Sequence, residues 1–427
     1  MTKTATTRPQ QALPLAGIRV IDYSHFLAGP HMSRCLSAMG AEVIKVERPV
    51  AGDAGRASPT MVKGQSGYFL QQNMGKQGLC VNLRDPRGLE LMHKLTDSAD
   101  VFVENYRPGA LDKLGLGYDE LSGRNPKLVY CSVSAYGHTG PDSHRPGFGL
   151  IAEAKSGAMS LIGVPSEPPP LFRMPIADMY AGMHGVSAIC AALFGRVSSG
   201  LGQHIDIALY DWMISMHDFA AQSYLMSGGT EMPVQTGHDL PQSTVYGSFS
   251  AKDGYLVIAA QMTDTWKSLA RLIGGDAYAA DATLHSQAGR NANREAILAK
   301  VSGWTMAQSV EACCAALDAA GVPAAPVQTI DKVLSDPQTL ARDMVVEQDH
   351  PVLGKIRLPN LPNLPNLPFR FSGCDTSPSG PAPMLGQHNR EIAASVGYSA
   401  EEIDTFVNEG VLYAEASVGQ PEAGSVA

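Results

Sequence analysis

This chain is short of basic residues, of paired cysteines and of long apolar runs, and each shortage removes a class of function. Lysine and arginine number 32 against 41 acidic residues, a formal net charge of −9. Such a balance disfavours a general nucleic-acid or membrane-surface role, although a phosphate-bearing small molecule can still be met by a local cluster of cations. The cysteines Cys35, Cys80, Cys131, Cys190, Cys313, Cys314 and Cys374 are an odd set without C-x-x-C spacing. Neither a disulfide framework nor a zinc site is indicated, no metal is expected, and reduced thiols fit better. No apolar run reaches the roughly 18 residues of a spanning helix, and Met1 to Pro14 has no hydrophobic signal core. A cytoplasmic location is the expectation.

Familiar catalytic signatures are missing as well. There is no G-x-G-x-x-G after the first predicted strand, no G-x-x-x-x-G-K-[ST], no H-E-x-x-H and no G-x-S-x-G. Dinucleotide oxidoreductase, P-loop, zincin and serine-hydrolase chemistries lose their usual support. What remains is an ordinary globular composition, 44% apolar and 17% charged, with 43 glycines and 29 prolines spread along the chain. At 427 residues the chain exceeds a single core, so about two domains are expected.

Strands and helices alternate through the first half. Gly17 to Tyr23, Glu42 to Val46, Asp100 to Val103 and Leu128 to Val133 read as β-branched strands, with helices at Met32 to Gly40 and near Gly88 to Ser98. Alternation of this kind predicts βαβ units and a largely parallel sheet, an α/β domain. A helix from Asp178 to Arg196, a strand at His204 to Ala208 and a helix from Asp211 to about Met226 follow. A hairpin over Tyr246 to Ala260 turning at Asp253-Gly254, then helices at Thr265 to Ile273 and Ala307 to Ala319, predict a smaller α+β domain. The predicted partition is a disordered segment 1–14, a large domain 15–227, a small domain 228–330, a return segment 331–412 that completes the large domain, and a disordered tail 413–427. The proline-rich repeat Leu358 to Pro368 predicts an extended traverse or a simple spacer.

Two segments carry the chemistry: Ser24 to Pro30, read as a strand-to-helix turn, and Arg173 to Gly182, read as a strand-to-helix turn presenting the carboxylate of Asp178. Taken alone, an aspartate ahead of a helix is an N-cap. The same position suits an anionic nucleophile, since a helix N-terminus favours negative charge.

The blocks Gly29-Pro30, Gly40 to Glu47, Gly52-Asp53, Asn82 to Gly88, Glu104 to Gly109, Leu114-Gly115 and Tyr136 to Pro141 resemble, in matching order, the family III CoA-transferases (CaiB/BaiF-like). That family also contains the α-methylacyl-CoA racemases. The resemblance implies a Rossmann-like large domain built from both chain ends, a small domain and an interlocked homodimer. It implies an enzyme that binds coenzyme A as an acyl-CoA substrate, with Asp178 as nucleophile. By resemblance Leu27, Ala28, Arg48, Val81, Asn82, Leu83, Arg84, Asn105, Tyr106, Arg107, Lys113, Val133, Ser134, Ala135, Tyr136 and Gly137 form the CoA site. Lys45, inside one of these blocks, and Lys76, close to one, are further candidate cations for the CoA phosphates, with solvated surface charge the competing reading for each.

Leu27 and the hairpin Asp253 to Ala260 look more like members that pair succinyl-CoA with small dicarboxylic acids such as glutarate, itaconate, mesaconate or citramalate. Arg145, Arg173, His238 and Gln242 are candidates for holding the acid. Two alternatives stand beside this reading. A racemase or epimerase needs a second acid/base, and racemases of the family carry Gly-His-Asp where this chain has Gly147-Phe148-Gly149. A non-catalytic acyl-CoA-binding protein would retain the fold without using Asp178.

Overall fold

The computed structural model describes residues 12–238, 240–359, 371–374 and 380–415. Most of the Leu-Pro-Asn repeat and of the two terminal segments lies outside the described residues. The chain divides into one unit of Met1–Ser156, Phe172–Met216 and Leu334–Ala427 and a second of Gly157–Leu171 and His217–Val333.

In the first unit the strands run in chain order as β1 (Arg19–Tyr23), β2 (Glu42–Glu47), the small antiparallel pair β3 (Met61–Val62) and β4 (Gln65–Ser66), β5 (Gln77–Cys80), β6 (Val101–Glu104), β7 (Val129–Ser134) and β8 (His204–Ala208). Six of them form one parallel sheet in the order β5-β2-β1-β6-β7-β8. The chain therefore builds outward from β1 to β5, then returns and builds outward from β6. In open parallel sheets the crevice outside the carboxyl ends of the two strands flanking that reversal is where ligands bind. Here those strands are β1 and β6, followed by Ser24 to Leu27 and Asn105 to Arg107.

Helices α1 (Ala28–Ala38), α2 (Gly67–Asn73), α3 (Pro86–Asp97), α4 (Tyr118–Arg124), α5 (Gly149–Lys155), α6 (Ile176–Ser199) and α7 (Leu209–Ser215) belong to the same unit. The strands are largely apolar because both faces are covered, with buried charges confined to the carboxyl ends of β1, β2 and β6. Ile21, Ile44, Leu79, Phe102 and Tyr130 pack with Leu91 and Leu95 of α3 and Leu121 of α4. Cys131 Sγ lies 3.8 Å from Met32 Sδ of α1, so the neighbouring residue on β7 faces the other layer.

Local chemistry sets the helix ends. Asp85 accepts a hydrogen bond from Arg87 N at 2.9 Å, and Pro86 opens α3 where its missing N–H costs nothing. The sequence predicts α6 to begin at Asp178, but it begins at Ile176 and closes on Gly200 at φ 72°. At 24 residues α6 is long and apolar enough to cross a membrane by length and composition, against the sequence expectation of no such stretch. It buries Ala181, Gly185, Val186, Ile189 and Ala192, with Gly185 against Met32 and Ile207, while Phe194 and Val197 near its end are exposed.

The edge strand β5 is finished by the far end of the chain. Beyond the short helix α14 (Pro337–Ala341) and the antiparallel pair β12 (Val345–His350) and β13 (Gly354–Pro359), helices α15 (Asn389–Ser395) and α16 (Ala400–Asn408) add Ile392, Ile403 and Phe406 to the α3 and α4 side of the core. Val81 bridges Leu412, Asn82 N donates to Val411 O at 2.8 Å, and Cys80 N donates to Asn389 Oδ1 at 2.8 Å.

In the second unit α8 (Phe219–Met226) is separate from α7, so the single helix expected from Asp211 to Met226 is broken at 216–218. A hairpin of β9 (Tyr246–Ala251) and β10 (Gly254–Ala259) pairs Gly254 with Ala251, so Lys252-Asp253 form the turn, one residue earlier than expected. Strand β11 (Ala324–Pro326) joins β10. Helices α9 (Thr263–Ala279), α10 (Gln287–Ala292), α11 (Arg294–Met306) and α12 (Val310–Ala319) enclose a core around fully buried Trp266, and α13 (Ile330–Val333) follows.

Candidate active site

The turn after β1 is held by side chains at nearly every backbone group. Asn105, just past β6, receives His25 N on Oδ1 at 2.8 Å and returns Nδ2 to His25 O at 2.7 Å. Asp53 accepts Phe26 N at 3.0 Å, Lys45 Nζ donates to Ser24 O, and Asp22 receives both the amide and the hydroxyl of Ser24. So tethered, Phe26 sits at φ 61°, a left-handed conformation uncommon for a bulky residue and found where surroundings over-determine the backbone.

Below this turn lies a fully buried ion network. Lys45 Nζ is 2.9 Å from Asp53 Oδ2 and 3.9 Å from Asp22 Oδ1, while Lys76 Nζ is 2.9 Å from Asp22 Oδ2. Burial alone would raise Asp22 and Asp53, but Lys45 and Lys76 beside Asp22, and Lys45 with the amides of Phe26 and Gly55 beside Asp53, override it and hold both carboxyls low. Burial pushes Lys76 down to about 8 despite Asp22 beside it. The side chains of Lys45 and Lys76 are 0% exposed, which corrects the expectation that they meet a cofactor's phosphates. Pairing offsets the cost of burying these charges, and here the pairs fix a loop.

Above the network a cavity of about 390 Å³ opens at the carboxyl ends of β1, β6 and β7, lined by His25, Phe26, Ala28, Asn105, Tyr106, Arg107, Ala110, Val133, Ser134, Ala135, Pro146, Gly147, Phe148, Asp178 and Leu209. Asp178 lies in the first turn of α6, whose N-cap is Pro175, so the aspartate is not itself the cap and no strand precedes it. It reaches the cavity over α5. A Cβ on Gly149 would overlap Asp178 Oδ2, so only glycine leaves the carboxylate its seat. Burial, and then the charge of Glu153, raise Asp178 to about 6. It is therefore an anion at neutral pH, desolvated enough to be a good nucleophile. A second cavity of about 240 Å³, containing Arg48, Gly52 and Asp53, shares His25, Phe26 and Tyr106 with the first.

The family model for "CoA-transferase family III" matches residues 15–389. This chain belongs to that family. It is 35% identical over 414 residues to the mouse (Mus musculus) protein "Succinyl-CoA:glutarate CoA-transferase", covering 95% of this chain and 93% of that one. It is 35% identical over 405 residues to "Succinyl-CoA:mesaconate CoA-transferase" of Haloarcula marismortui, covering 92% and 98%. Among solved structures, a CAIB/BAIF family protein from Brucella suis superposes with a TM-score of 0.79 at 36% identity, over 90% of this chain and 100% of that one. The mixed α/β fold with its parallel sheet is thus the family's.

Of the residues singled out in the sequence, Ala28, Asn105, Tyr106, Arg107, Val133, Ser134 and Ala135 lie around one cavity with Asp178, and Arg48 lies in the adjoining one. Leu27 is buried behind the turn and Val81 is buried in the core. Asn82 caps its own loop by accepting Arg84 N at 3.1 Å, Leu83 packs on the core, and Arg84 and Lys113 are exposed beside neither cavity. Tyr136 carries Lys155 over its ring at 4.6 Å, and Gly137 N donates to Ser134 Oγ at 2.9 Å.

Among the acid-binding candidates, Arg145 is ion-paired with Asp142 at 2.9 Å and points to solvent. Arg173 is exposed at φ 61°. His238 and Gln242 belong to the second unit, where Gln242 lines a groove of about 450 Å³ with Phe219, Met232 and Leu240.

Sequence reasoning missed His25 and Phe26 as wall residues, although both stand inside the Ser24 to Pro30 stretch it singled out. It also missed Tyr68 of α2, whose hydroxyl is held protonated by burial and by the charges of Asp178 and Asp53. Gly149 and Glu153 carry no local signal at all, because their meaning comes from the packing of α5 on α6.

Proposed function

We propose that this protein moves CoA from succinyl-CoA to a small dicarboxylic acid of the glutarate, itaconate, mesaconate or citramalate class, with Asp178 as the covalent nucleophile. The observation that carries the reading is the Asp178 carboxylate, partly desolvated and facing the cavity at the sheet's reversal point. The names of the mouse and archaeal relatives support the dicarboxylate class.

In the proposed sequence, an Asp178 oxygen attacks the donor thioester carbonyl, the C–S bond breaks and CoA leaves as thiolate. The product is a mixed aspartyl anhydride. The thiolate then attacks the aspartyl carbonyl, forming an aspartyl-CoA thioester and freeing succinate. The acceptor carboxylate attacks that thioester, expelling the thiolate and forming a second anhydride. Attack of the thiolate on the acceptor's acyl carbon releases the new thioester and restores Asp178.

Arg48 and Arg107, exposed at the two adjoining cavities, supply positive charge for the CoA phosphates, and Asn105, Tyr106 and Val133 to Ala135 hold its pantetheine arm. Arg84 and Lys113 extend this toward the nucleotide from outside the cavities. The reading includes a homodimer, through which His238 and Gln242 reach the acid. Phe148 occupies the place where a racemase would carry its histidine, and an apolar ring there moves no proton.

Incubation with succinyl-CoA and hydroxylamine, followed by peptide mass spectrometry, is expected to give a hydroxamate on Asp178. Asp178→Ala is expected to abolish transfer while CoA still binds. Full turnover in that variant, or α-proton exchange with solvent in place of CoA transfer, refutes the assignment.

A further inference from the structure

We propose that Glu153 is a positioning residue of this site, a second buried carboxylate that anchors the head of α6 and sets the pH range in which Asp178 attacks. The proposal rests on Asp178 being the nucleophile. Glu153 is 3% exposed, and an acidic side chain is withdrawn from water to that degree only where something is gained by it.

Its Oε1 accepts Ala177 N at 3.4 Å, the amide immediately before the nucleophile. Gly149 and Glu153 are one turn apart on α5 and therefore share a face. Gly149 is where Asp178 Oδ2 rests, so Glu153 flanks the nucleophile from the next turn of the same helix. One side chain thus fixes the backbone that carries Asp178 and places a like charge beside its carboxylate, which joins burial in raising Asp178 to about 6.

Other titratable groups stand on the neighbouring elements: Tyr68 on α2, whose hydroxyl feels the charge of Asp178, His25 and Arg107 on the cavity wall, Tyr180 and His184 on α6, and Tyr210 and Asp211 on α7. The cation on α5, Lys155, is paired with Asp142 and stacked on Tyr136 and Tyr210. Among these groups Glu153 is the one whose charge raises Asp178.

The consequence has a definite sign. Only ionised Asp178 attacks, so activity falls as pH drops through about 6. Removing the Glu153 charge lowers the Asp178 carboxyl toward its ordinary range and moves that fall to more acidic pH. Glu153→Gln keeps a carbonyl acceptor for Ala177 N and discards only the charge. Glu153→Asp keeps the charge and withdraws the acceptor by one methylene.

In kcat/KM profiles from pH 4.5 to 8, the acid limb of Glu153→Gln is expected about one pH unit below the parent's. That of Glu153→Asp should coincide with the parent's limb, while its kcat falls about tenfold or more through loss of the anchor. A Glu153→Gln limb superimposed on the parent's overturns the proposal. Should that variant not fold, a Glu153→Asp limb displaced downward overturns it equally. Hydroxylamine trapping on the parent separates the two readings: no hydroxamate at Asp178 refutes the nucleophile itself, whereas a trapped adduct with an unmoved limb refutes only the role of Glu153.

Discussion

Gly149→Ala is the sharpest test of the site's geometry, because it adds one methyl group and removes no functional group. The new Cβ would overlap Asp178 Oδ2, lie 3.1 Å from its Cγ and sit 3.6 Å from Ala177 Cβ. Comfortable carbon contacts are about 3.5–4.0 Å, so Cγ must retreat by about 0.5–1 Å and the oxygen further. A displacement of about 1 Å in a reacting atom costs on the order of 100-fold in rate, or about 2.7 kcal/mol of barrier.

The substitution should not unfold the protein by the usual route. Gly149 opens α5 without a positive φ, so the backbone there accepts alanine. The assay is the initial rate of thioester formation from succinyl-CoA and glutarate, read by mass spectrometry, alongside calorimetric CoA binding and the unfolding temperature. Loss of rate with CoA affinity and Tm retained is the expected pattern. A variant within threefold of the parent rate would show that the Asp178 seat is not set by Gly149.

Two further outcomes concern stability. Asp53→Asn keeps an acceptor for Phe26 N and Gly55 N but removes the nearest carboxylate from buried Lys45, leaving the more distant charges of Asp22 and Glu47, and should cost about 2–4 kcal/mol in denaturant unfolding while raising the KM for the CoA donor; an unchanged unfolding midpoint would show the ion pair to be expendable. Asp178→Asn should raise Tm at pH 8, because a carboxyl whose folded value is raised stabilises only while protonated and costs stability as pH rises through about 6. The gap to the parent should narrow at pH 5, and a pH-independent gap would contradict the desolvated setting of Asp178.

The parallel sheet was legible because strands buried on both faces are runs of β-branched residues punctuated by glycine, and the two loops at the reversal point, Ser24 to Leu27 and Asn105 to Arg107, follow such runs directly. Asp178 stood out only through the family's motifs, since by local sequence it is one aspartate near a helix start. Burial was not legible. Lys45 and Arg48 are three residues apart on one strand and its exit, yet one is sealed under the turn and the other faces a cavity. Glu153 reads as an ordinary helical glutamate until α5 packs against α6. The break at 216–218 carries a local mark, His217 and Asp218 between apolar neighbours with Asp218 at the N-cap position of α8, but the helical spacing continues on either side of it.

The return of the chain end to β5 orders events during synthesis. Unit two's main stretch, 217–333, is contiguous and leaves the ribosome before the residues near 389 and 412 that close the sheet's margin exist. For most of translation β5 therefore has a naked hydrogen-bonding rim, the kind of surface that nascent chains must shield from one another. Premature termination before residue 389 would deprive that rim of its cover for good, leaving a truncated product prone to strand-to-strand clumping even though every residue of the catalytic cavity had been made.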